Sequence, residues 1–187
     1  MNREQWLDKG AALLNSSVFS AHGEKADNVK VSVGFPAGSR GAKNSAIGQC
    51  WDTSVSAGGF NEIFISPVIE DSVRALDILS HEMIHAIVGT AAGHKGPFKR
   101  LATSIGLSGK MTATVAGPEL TAKLESIVAE IGEFPHSELT PQSKGKKGSR
   151  LVLIQCPDCP NKARQARATF EAYGLTCGSC DSPMVAQ

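Results

Sequence analysis

Apolar and polar positions repeat with two different periods along this chain, and the switches between them mark its elements. Residues 2–17 carry the helical period: Trp6, Leu13 and Leu14 share a face, Asn2 can cap the start, and Gln5 stands at the reciprocal capping position. From Asn28 to Phe35 the period falls to two, with Val29, Val31 and Val33 on one face, which predicts a half-buried strand. Residues 36–45 (PAGSRGAKNS) are a loop by composition. Ile47 to Val55 predicts a second strand, Ser56 to Gly59 a turn, and Asn61 to Ile65 a third strand, hairpinned to the second and stopped by Pro67.

The helical period then returns for a long stretch. Asp71-Ser72 can start a helix, and Val73, Leu76, Leu79, Met83, Ile84, Ile87 and Val88 give it a broad apolar stripe that Gly89 can end. Residues 97–106 predict a short helix and residues 118–132 another, with Pro118 in its first turn and Gly132 past its end. Residues 140–149 (TPQSKGKKGS) hold no apolar side chain and read as a flexible basic linker. Leu151 to Ile154 is a short strand leading into a cysteine pair. The pattern divides the chain into a domain over 1–139, the linker 140–149 and a small module over 150–187.

Composition agrees with that division. A chain of 187 residues that is 41% hydrophobic and 20% charged is globular, and it has no apolar run near the roughly 18 residues a membrane helix needs. Its first residues are charged and polar rather than a secretory signal, so a cytoplasmic, reducing location is expected. The net charge of +1 hides an asymmetry: residues 1–139 carry −3 and residues 140–187 carry +4.

The long helix contains His81-Glu82-Met83-Ile84-His85. Four residues advance a helix by about 400°, so the two imidazoles stack one turn apart on one face and can share a Zn²⁺. Glu82 is offset from both and can take a proton from a zinc-activated water without ligating the metal. The bland reading is a helix with partly buried histidines. A catalytic zinc takes three protein ligands and keeps one position open. His94, reached through Gly89 and Gly93, is the leading third ligand, with Glu119 and His136 as rivals. Asp77, one turn before His81, either orients the His81 ring or faces solvent and pairs with Arg74. Cys50 reads as a buried strand thiol. Lys95, Arg100 and His136 are candidates for stabilising an oxyanion.

Four of the five cysteines form two Cys-x-x-Cys pairs, Cys156/Cys159 and Cys177/Cys180, 17 residues apart. That is the spacing of a structural Cys₄ zinc ribbon, against the weaker alternative of a redox pair. A 38-residue module cannot bury enough core to fold alone, and zinc would make up the difference. Two zinc ions per chain are therefore expected. Lys144, Lys146, Lys147, Arg150, Lys162, Arg164 and Arg167 surround the module, either as a solvated face or as a nucleic-acid footprint.

The run from His81 to His85, followed by Gly93-His94-x-Gly96-Pro97-Phe98-Lys99, resembles the SprT-like (Spartan-like) zinc metalloproteases. The likeness extends back through Cys50-Trp51 and Ile63 to Pro67, and forward to the cysteine pairs. It implies an α+β fold: a small zincin with an N-terminal helix, a short three-stranded sheet, the active-site helix and supporting helices, then a zinc ribbon. It implies a zinc endopeptidase acting on a protein substrate, in several members one bound to DNA. It also nominates Asn61 to Ser66 as the strand that pairs with substrate backbone. The rival function is a nucleic-acid-binding or regulatory protein built on an inactive metalloprotease scaffold; an intact Glu82 favours the enzyme. A small-substrate metallohydrolase is a third reading.

Overall fold

The computed structural model describes residues 1–39, 45–141 and 151–187, and the chain divides into two compact units, Met1–Gln142 and Ser143–Gln187. The first unit begins with α1 (Arg3–Leu14). Asn2 Oδ1 accepts from the Gln5 N–H at 2.8 Å while Gln5 Oε1 accepts from the Asn2 N–H at 2.9 Å, a complete capping box. The helical path continues past Leu14 through a π turn (Asn15–Phe19) and a 3₁₀ turn (Ser20–His22), which brings Val18 and Phe19 into the core beside Trp6, Leu7 and Leu14.

Three strands follow: β1 (Val29–Val33), β2 (Gly48–Trp51) and β3 (Asn61–Ile65). Their order is β1-β3-β2, with β3 antiparallel to β2 and parallel to β1. β3 takes the centre because Asn61, Ile63 and Ile65 all bury on one face. This corrects one expectation. Asn61 to Ser66 cannot pair with a substrate backbone, because β3 is hydrogen-bonded along both sides. Among the described residues the open edges belong to β1 and β2. The Ser66 N–H donates to Ile47 O at 2.8 Å, so strand alternation turns the backbone groups of Gly48 and Cys50 away from β3 and toward the free edge.

α2 (Ser72–Val88) is the hub of this unit. Asp71 Oδ1 caps it by accepting from the Arg74 N–H at 2.7 Å, and Gly89, at φ +82°, ends it. Its Leu76, Leu79, Met83 and Ile84 are fully buried, and it packs against α1, β2, β3, α3 (Gly96–Ile105) and α4 (Pro118–Ile131). Between α3 and α4 lies a hairpin that the pattern does not predict, β4 (Leu107–Lys110) and β5 (Ala113–Ala116). The segment after α4 is pinned back on the domain. Trp6 Nε1 donates to Gly132 O at 2.7 Å, the Phe134 N–H donates to Ser72 Oγ at 2.9 Å, and His136 Nε2 donates to Pro67 O at 3.0 Å.

The second unit contains β6 (Leu151–Gln155), β7 (Lys162–Ala166), α5 (Arg167–Tyr173) and β8 (Val185–Ala186), with an antiparallel sheet ordered β7-β6-β8. Its buried apolar cluster is only Val152, Ile154, Cys156, Cys177 and Met184. The architecture is thus mixed α+β, with five α-helices and small sheets among the described residues. No helix among them is long and apolar enough to cross a membrane.

Leu79 faces the core at full burial. Leu79→Ala should cost about 2–5 kcal/mol in urea unfolding of the first unit. Val55→Ala, at a residue 66% exposed, should stay within about 0.5 kcal/mol.

Candidate metal centre

Because α2 turns by about 100° per residue, Arg74, Ile78, His81, Glu82 and His85 come to one side of it, where they line a cleft of about 800 Å³. β2 and the segment before it form one wall of the cleft, and the β4–β5 hairpin contributes another. His94 enters across the opening: Gly89 and Gly93 hold φ of +82° and +52°, which turns the chain back toward α2.

The three imidazoles meet at their Nε2 atoms. His94 Nε2 lies 3.1 Å from His81 Nε2 and 3.2 Å from His85 Nε2. A four-coordinate ion bound at about 2.05 Å would space its nitrogen ligands by about 3.3 Å, so this triad fits one ion. Glu119 is exposed at the start of α4 and His136 is engaged with Pro67, so neither rival joins the cluster. Burial holds the His81 imidazole down to about 3, with the His85, His94 and Arg74 charges adding to the effect. Burial likewise lowers His85 to about 4, and it lowers His94. Neutral rings keep their lone pairs available for a cation.

The surroundings set the ring orientations. His81 Nδ1 lies 2.8 Å from Thr114 Oγ1 on β5, so with Nε2 kept as ligand atom Nδ1 carries the proton and donates it to the hydroxyl. Of the two readings of Asp77 the pairing with Arg74 holds, though the residue is buried rather than solvent-facing, and Thr114 instead takes the His81 ring. His85 Nδ1 is buried without a hydrogen-bond partner among the described residues. Phe98, fully buried, lies beneath all three rings, 4.8, 4.5 and 4.8 Å from the centroids of His81, His85 and His94.

Glu82 is buried beside the ligands but is not one of the converging atoms. Burial pushes its carboxyl up to about 8, against the pull of the Cys50 backbone N–H that donates to it. Gly48 makes its position possible. A Cβ there would meet Glu82 Oε1 at 2.5 Å and Ile78 Cγ2 at 2.6 Å. Cys50 also lines the cleft, half-buried, and burial followed by the Glu82 charge pushes its thiol up to about 12. The oxyanion candidates Lys95, Arg100 and His136 do not line the cleft; among the described residues the cations that do are Arg74 and Lys110.

In the second unit the four cysteine sulfurs form a second donor set. Sγ of Cys156 and Cys180 are 3.3 Å apart, Cys159 and Cys177 3.6 Å, and Cys159 and Cys180 3.7 Å. Four thiolates at about 2.3 Å from one ion would stand about 3.8 Å apart. Asn161 Nδ2 donates to Cys177 Sγ at 3.4 Å, which with the Ser179 N–H pulls that thiol down to about 6. Lys162 and Arg164 are exposed on β7, whereas Arg167 pairs with Glu171 at 3.6 Å. Lys144, Lys146, Lys147 and Arg150 lie outside the described residues.

Both donor sets can hold a metal ion. A fully loaded chain should give two ions by elemental analysis. His94→Ala should lower that to one while the far-ultraviolet dichroism of the first unit stays unchanged. Two ions retained in His94→Ala would place the third ligand elsewhere.

Comparison with protein-family models, with curated proteins and with solved structures found no match for this chain, so the functional reading rests on the residues themselves.

Proposed function

We propose that the chain is a zinc-dependent endopeptidase of the SprT-like kind, with a zincin catalytic unit and a zinc-ribbon tail. The observation that carries the reading is the placing of one buried carboxylate, Glu82, next to three imidazoles that converge in an open cleft. His81, His85 and His94 would hold the catalytic ion and the four cysteines a structural one. When bound, zinc supplies Lewis acidity and brings the pKa of water to about 7.

The chain's own groups supply the rest. An extended substrate can add its backbone to the free edge of β2, where Gly48 turns its peptide groups outward and Cys50 its carbonyl, the Cys50 N–H being taken by Glu82. Burial alone would keep Glu82 protonated, and the charge of a bound ion would hold it ionised, so that its carboxylate can take the proton from the attacking water and pass it to the leaving amine. Gly48 keeps the carboxylate close to the strand that holds the peptide. The Cys50 N–H holds Glu82 in place on α2. His81, His85 and His94 stay neutral, so they give up no proton to bind the ion. Lys162 and Arg164 favour a tail that meets DNA, which would bring the enzyme to DNA-associated proteins.

Glu82→Gln should retain both ions and the fold but lose about 10²–10⁴-fold in cleavage of an unfolded protein. Gly48→Ala should also retain the metal and lose activity, since its methyl group displaces the carboxylate. Undiminished cleavage by Glu82→Gln would point to a contaminating protease or to a mechanism that does not use this carboxylate.

Deleting residues 140–187 should abolish salt-sensitive DNA binding and leave DNA-independent cleavage intact. A truncated chain that binds DNA as well as the full one would give the tail another role.

A further inference from the structure

Among the described residues that line the cleft, two cationic side chains stand against one carboxylate. Among the described lining residues Glu82 is the only carboxylate, and it is committed beside the ligands; Arg74 and Lys110 are cationic. Arg74 is fixed rather than free. Its Nη1 donates to the Asp77 carboxylate and lies 3.5 Å from Thr114 O. The same Thr114 meets the His81 ring through Oγ1, so the guanidinium stands one residue away from the ligand cluster. Its Nε and Nη2 donors have no protein partner among the described residues, and a third of the side chain remains exposed. A guanidinium held through one nitrogen, Nη1, keeps its Nε and Nη2 donors as a fork for a carboxylate. Lys110 is exposed at the end of β4, makes no ion pair among the described residues, and adds a second positive charge to the same cleft.

We propose that the cleft selects acidic protein segments, with a glutamate or aspartate side chain within a few residues of the scissile bond received by Arg74 and drawn in by Lys110. The proposal rests on the endopeptidase reading and adds the substrate class. Asp77 is then a positioning residue. Buried in α2, it sets the direction of the guanidinium and itself touches no substrate.

The test uses the full-length, metal-loaded Glu82→Gln chain, which binds without cutting. Fluorescent peptides with amidated C-termini carry a single Glu or its isostere Gln, moved along the sequence one position at a time, and binding is read by anisotropy. At one or two positions the Glu peptide should bind about tenfold tighter than its Gln partner, as a charge-assisted fork would give. The preference should shrink in Lys110→Gln and vanish in the double change Arg74→Gln/Asp77→Asn, which leaves no lone buried charge. Metal content of both variants should stay at two, which shows that the centre is intact. Equal binding of Glu and Gln peptides at every position would overturn the proposal, as would a preference that both variants retain. Single-stranded DNA that displaces the peptide from the cleft, and loses affinity in the same variants, would overturn it in favour of a phosphate backbone as the ligand. Failure of the endopeptidase reading is separate: the wild-type chain would then leave the preferred Glu peptide uncut while the binding preference persists.

Discussion

Burying α2 is the constraint on which the first unit depends. The helix must place Leu76, Leu79, Met83 and Ile84 in the core, yet its other side carries His81, Glu82 and His85, groups that are costly to desolvate. The fold meets that cost locally. Thr114 satisfies one imidazole, the Cys50 peptide N–H satisfies the carboxylate, and Gly48 lets strand and helix approach closely enough for that contact. Two buried polar atoms of this helix, His85 Nδ1 and Asp77 Oδ1, stay unmatched among the described residues. A helix that spends this much on ionisable groups is arranged for something other than stability.

Much of this was legible in the sequence because it is written in short-range signals. Asn2 and Gln5 announce the start of α1 and Asp71 that of α2, and the spacing of His81, Glu82 and His85 fixes their relative angles on any helix. His94 was reachable from the glycines on its approach. What escaped depends on distant partners. Nothing local shows that β1 and β3 run parallel, so the sequence does not reveal that β3, where the resemblance puts the substrate edge, lies at the centre of the sheet. The β4–β5 hairpin was missed because Leu107 to Ala116 is short and mostly small and polar. Its signal was present in the alternation of Met111, Ala113 and Val115 with Thr112 and Thr114. With the hairpin went Thr114 and Lys110, and so the true partner of His81.

The two units use the same element of design, converging soft or neutral donors, to different ends. In the first the donors sit at the rim of a large core that folds around them. In the second they are themselves a large part of the interior: two of the five residues in its buried cluster are donor cysteines.

Phe98 sharpens that contrast. One buried ring touches all three imidazoles and is itself anchored in the large core, so part of the ordering of these rings comes from the folded polypeptide. Under scarcity the first unit would give up its ion and keep its shape, ready to reload without rearrangement. The second has no such floor, and its shape would leave with the ion. One polypeptide would thus register starvation twice, as a silent vacancy at one end and as a loss of structure, open to proteolysis, at the other.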